Sequence, residues 1–152
     1  MLVRSIAFGV AMLAATASAT ENPALTGIEP FQRAYGMSFY GFDLCGEADL
    51  GQLYRKALRE KVAHCPFTAE AKTSFAQRAA DTDNHAPADL QRYIAEHDKL
   101  PESLDEKKVA CRKEKDTPTY QKTVALLADY AKGTVRFDAV VPDACEAKAG
   151  GR

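Results

Sequence analysis

The chain has 152 residues, with 20 Lys and Arg against 21 Asp and Glu and a formal net charge of −1. Charges of both signs are mixed along it, which leaves no basic footprint for nucleic acid or for an anionic membrane surface. This length predicts one domain able to bury a core of its own.

Met1 to Ala19 reads as a secretory signal peptide. Arg4 supplies its positive charge, Ile6 to Ala15 its apolar stretch, and Ala17-Ser18-Ala19 a small-residue end that places cleavage after Ala19. The apolar stretch is too short to span a bilayer comfortably, and polar Thr20-Glu21-Asn22 follows it. Residues 20–152 are then expected as one helical domain, periplasmic or secreted, with no membrane span and with 145–152 as a frayed tail.

Pro30 suits a helix start, and Phe31, Tyr35, Phe39 and Phe42 follow at i, i+4, i+8 and i+11. Gly36 and Gly41 weaken this first helix. At that spacing the aromatics belong in a core. Tyr40 lies off the stripe, which makes it the candidate for an exposed interaction surface. The second helix is expected from Glu47 to about His64, with Leu50, Leu53, Tyr54, Ala57, Leu58 and Val62 on its apolar face. Arg55, Lys56, Arg59 and Glu60 are expected on its other sides, and Pro66 stops it.

Thr68 is a cap for a third helix carrying Ala71, Phe75 and Ala79, which is expected to fade in Asp81-Thr82-Asp83-Asn84. Pro87 then begins a short fourth helix with Leu90, Tyr93, Ile94 and His97 on one side. The intervening Asp81–Asp89 stretch reads as a polar loop with oxygen donors at alternate positions. It departs from a calcium loop at two demanding places, Ala86 for the turn Gly and Arg92 for the bidentate Glu. A transition metal on His85 with Asp81 or Asp89 is the other reading of the same loop.

Pro101 begins a fifth, highly charged helix through Leu104, Lys108 and Cys111, whose Lys107–Asp116 run is a solvated face. Thr117-Pro118 breaks it. Tyr120, Val124, Leu127 and Ala131 make a sixth stripe, ended by Gly133. Beyond that, Val135, Phe137 and Ala139 alternate with Arg136 and Asp138, which predicts an extended arm laid across the bundle. The expectation is an all-α bundle of five to six helices with an extended C-terminal arm.

Cys45, Cys65, Cys111 and Cys145 are an even set in a chain read as exported, and two structural disulfides are expected from them. No C-x-x-C pair, haem-attachment motif or zinc-finger spacing is present. A helix from 47 to 64 is roughly 27 Å long at about 1.5 Å per residue. That separates Cys45 from Cys65 beyond the roughly 7 Å that a disulfide tolerates. Two arrangements remain: Cys45–Cys111 with Cys65–Cys145, or Cys45–Cys145 with Cys65–Cys111. Up-and-down counting of helices favours the first.

Few residues suggest chemistry. His64 beside Cys65 reads as a surface His next to a bridged Cys, because adjacent helical residues do not face each other. His97 is placed as an interfacial His. A haem between His97 and Met37, the one Met left after cleavage, rests on counting alone, so no cofactor is assigned. No catalytic motif is found. The expected function is a non-catalytic binding or accessory protein for a protein or small-molecule partner. The alternatives are an acid-stress holdase and a metal carrier using the Asp81–Asp89 loop.

Overall fold

A computed structural model describes residues 23–25, 27–100 and 105–145. The signal segment, the tail beyond Cys145, and Pro101 to Leu104 lie outside the described residues. Among those described, 79% are helical and none lies in a strand. Six α-helices follow in order: α1 (Glu29–Gly41), α2 (Ala48–His64), α3 (Ala69–His97), α4 (Glu106–Lys115), α5 (Pro118–Ala131) and α6 (Phe137–Val140). Single 3₁₀ turns occupy Pro23–Leu25 and Asp43–Cys45. No helix among the described residues is long and apolar enough to cross a membrane.

Local chemistry sets most boundaries. Pro30 lies in the first turn of α1, where its missing N–H costs nothing. The Thr68 hydroxyl accepts from Ala71 N at 3.1 Å and starts α3. Thr117 does the same for Tyr120 N at the head of α5, and Asp105 accepts from the amides of Lys107 and Lys108 at the head of α4. Gly46 and Gly133 close the Asp43–Cys45 turn and α5 at φ 81° and 74°, backbone that side-chain-bearing residues rarely adopt.

The third helix departs from the sequence expectation. It does not fade at Asp81 and restart at Pro87; one 29-residue helix runs through both. Asp81–Asp89 is therefore helix, not loop. Proline normally breaks a helix interior by removing a hydrogen bond and crowding the preceding turn. Here Pro87 is exposed, while Ala71, Phe75, Ala79, Ala86 and Leu90 keep one face against the core on both sides of it. Continuous packing outweighs the local break.

The C-terminal segment also differs in detail. The alternation at 135–139 gives way to one helical turn, α6, which buries Phe137 and Val140. Val141 follows fully buried, and the chain continues without regular structure to Cys145. This is the arm: Phe137, Val140 and Val141 lie in the core, and residues 142–144 are exposed.

The core joins Ile28, Phe31, Tyr35 and Phe39 to Leu58, Val62, Phe75, Leu127 and Val141. Tyr35 and Phe75 meet edge to face at 5.7 Å and 87°. Two disulfides cross this framework. Cys45–Cys111 ties the Asp43–Cys45 turn to α4, and Cys65–Cys145 ties the end of α2 to the arm, with Cα separations of 5.4 and 5.3 Å.

Candidate functional site: the clefts beside α4

α4 carries no buried residue and meets the body chiefly through the Asp43–Cys45 turn, its disulfide and α5. It separates two clefts, with most of its basic side chains on one and both glutamates of one row on the other. Lys107, Lys108, Arg112 and Lys115 line one cleft of about 560 Å³ with Leu44, Ile94 and Asp98. Glu106, Ala110 and Glu114, one row at i, i+4 and i+8, line the other, of about 480 Å³. Met37, Tyr40 and Tyr93 face that second row.

The cationic cleft is matched from within. Lys107 Nζ lies 3.4 Å from Asp98, Lys108 Nζ 3.2 Å from Asp105 and Lys115 Nζ 2.7 Å from Glu47. Asp105 is fully buried. Burial pushes its carboxyl up, but hydrogen bonds from Lys108 and the charges of Lys108 and Lys107 reverse that and hold it below the ordinary carboxylate range. His97 Nδ1 stands 3.6 Å from the same carboxylate, and its ring stacks on Tyr93 at 4.0 Å. His97 is thus an interfacial residue between α3 and Asp105.

The second cleft is apolar and open. Met37, Tyr40 and Tyr93 are 58, 57 and 39% exposed, the first two at i and i+3 on α1. The remaining aromatics of that segment, Phe31, Tyr35, Phe39 and Phe42, are all buried. The aromatic stretch thus serves two faces: four rings fill the core and Tyr40 leaves it.

A third cleft, of about 840 Å³, opens where α1, α2 and α3 meet, over a polar network. Arg55 is only 5% exposed, contrary to its expected place on an outer side of α2. Its guanidinium donates to both carboxylate oxygens of Asp43 at 2.9 and 3.0 Å and to Ser38 Oγ at 3.1 Å. It also lies 3.8 Å over the Phe39 ring. Gly51, one turn before Arg55, leaves the room: a Cβ there would collide with the Asp43 carboxylate. Nearby, the Tyr35 hydroxyl donates to Asp83 at 2.9 Å, and Arg59 pairs with the same carboxylate. Burial and the Asp83 hydrogen bond push the Tyr35 phenol far above its ordinary value, so it stays a proton-bearing donor. Asp83, expected from sequence in a polar loop, is a clasp between α3 and the first two helices.

The other residues singled out from sequence have local roles. His64 Nδ1 sits 2.8 Å from Glu60 O and its ring lies against Phe137, while Cys65 is bridged. His85 Nδ1 lies 2.7 Å from Asp81 O, and Asp89 pairs with Arg92 at 3.3 Å. Among the described residues no group of three His, Cys, Asp or Glu side chains is arranged to hold a metal ion. Neither the charge division on α4 nor the Arg55 network was anticipated from sequence. The Glu-x-x-x-Ala-x-x-x-Glu row was the visible trace of the first, and Gly51 at i−4 from Arg55 of the second.

The chain matches no protein-family model, and no curated protein or solved structure matches it.

Proposed function

We propose that this chain is an exported, non-catalytic binding protein that engages its partner in the apolar cleft between α1 and α4. One observation carries the reading: Met37, Tyr40 and Tyr93 converge, exposed, on one cleft of a chain that buries its other α1 aromatics. Exposed large apolar side chains grouped at a concave surface are the usual mark of a binding site. Export, with the signal at 1–19 and a working place in the periplasm or outside the cell, is supported by the two disulfides. A photo-reactive amino acid placed at Tyr40 in the producing cell, with Gln77 on α3 as control, tests it. A discrete adduct at 40, absent at 77 and lost with Tyr93→Ala, is expected; the same adducts at both positions would sink the reading.

A holdase released by acid is a second reading, favoured by Asp105. A buried carboxylate that accepts from two amides at the head of α4 and pairs with Lys108 is a natural point for acid to loosen this side of the bundle.

A further inference from the structure

Resting on the cleft reading above, we infer that the partner presents a cationic segment: a bulky apolar side chain flanked by Lys or Arg. The charge on α4 is unevenly placed. Lys108, Arg112 and Lys115 line only the far cleft, Lys107 reaches both and exposed Lys113 lines neither, while Glu106 and Glu114 flank small Ala110 along the apolar one. Both glutamates are exposed, and neither pairs with a cation among the described residues. Lys107, the one cation among the described residues lining this cleft, is largely buried and turned to Asp98. The cleft therefore offers apolar walls from α1 and α3, a small residue that permits close approach, and two free carboxylates at its rim. Eight residues of helix set the Cα atoms that carry those carboxylates about 12 Å apart. An extended chain covers that distance in about three to four residues, so the two cationic side chains of a partner would stand at that spacing with the apolar anchor between them. Rim charges of this kind select partners and speed their encounter more than they raise affinity.

The test uses the full mature, oxidised chain and two labelled peptides, read by fluorescence anisotropy at low salt. One has a central Phe flanked by lysines four residues apart; the other has glutamates in their place. The lysine peptide is expected to bind about fivefold more tightly, an advantage that added salt removes. Glu106→Lys with Glu114→Lys, both at exposed positions, should invert the order with the circular dichroism unchanged. Tyr40→Ser should weaken both peptides. Equal affinities, or an order unchanged in the charge-reversed variant, overturn the cationic partner while leaving the cleft in place if Tyr40→Ser still weakens binding. Binding indifferent to Tyr40→Ser, or no binding of either peptide, overturns both. A concentration-dependent dimer of the chain alone, abolished by Tyr40→Ser, assigns the cleft to a second copy and overturns the peptide.

Discussion

Arg55 shows how much one side chain can hide from periodicity. The apolar register of α2 sends Leu58 and Val62 inward and leaves position 55 among polar neighbours, yet the guanidinium is buried between Asp43, Ser38 and Phe39. Its partners lie 12 and 17 residues away, beyond the reach of any helical pattern. Burial of both partners sets this pair apart from the ion pairs of α4, each of which has at least one partner more than a third exposed. Asp43→Ala leaves a charge with no counter-ion in the interior and should cost roughly 3 kcal/mol or more in a denaturant titration. Gly51→Ala gives a sharper result because its sign is informative. In an ordinary helix interior that change stabilises by up to about 1 kcal/mol. Here the added methyl must displace the Asp43 carboxylate, and a loss of roughly 1–3 kcal/mol is expected. A variant with a higher denaturation midpoint than the parent would show that Gly51 is no part of the Arg55 site.

At the scale of elements, helix ends that rest on capping chemistry are readable from sequence, and the course of α3 beyond its Thr68 cap is not. Thr68, Thr117 and Gly133 announce their boundaries because each supplies a hydrogen bond or a backbone geometry the helix end requires. Pro87 announces a boundary that tertiary packing overrides, since Ala79, Ala86 and Leu90 continue the buried face across it. The α4 cap is hidden for a different reason: a helix starting at Pro101 would place Asp105 in its interior, and only the fold shows Asp105 accepting from Lys107 N and Lys108 N. That cap gives the element its own pH dependence. A carboxyl held below its ordinary value contributes stability that is complete above the unfolded-state value and is lost as pH falls through the folded-state value. Among the described residues, His97 from α3 and Lys107 and Lys108 from α4 itself are the charged and titratable groups around it. Amide exchange at Lys107 and Lys108, corrected for its intrinsic rate, should therefore stay slow from pH 7 into the ordinary carboxylate range and rise below it. Asp105→Asn should abolish that pH step. An acid step of the same size in Asp105→Asn would assign the loosening to other carboxylates.

Across the whole molecule, helix length removed one cysteine pairing, and the two bonds present, Cys45–Cys111 and Cys65–Cys145, each join an early helix region to a late one. They span 66 and 80 residues, so the chain-entropy model gives each about 4 kcal/mol, a difference too small to rank them. Their surroundings rank them instead. Cys65 is 1% exposed and its half-buried partner Cys145 packs against the core, whereas Cys45 and Cys111 are both half-buried and line the clefts beside α4. Disulfide exchange needs a thiolate to reach a sulfur, so access should order the two reactions. Under a mild dithiol reductant, alkylation and peptide mapping are expected to find Cys45 and Cys111 labelled well before Cys65 and Cys145. The singly reduced chain should keep the helicity of α1, α2, α3 and α5, because their contacts bury the core without α4. Cys65→Ser with Cys145→Ser should then lower stability more than Cys45→Ser with Cys111→Ser, since similar loop terms leave the buried sulfur and its packing as the difference. Simultaneous labelling of all four cysteines, or loss of the whole bundle when Cys45–Cys111 opens, would mean that α4 is part of the cooperative core and not a strap fastened to it.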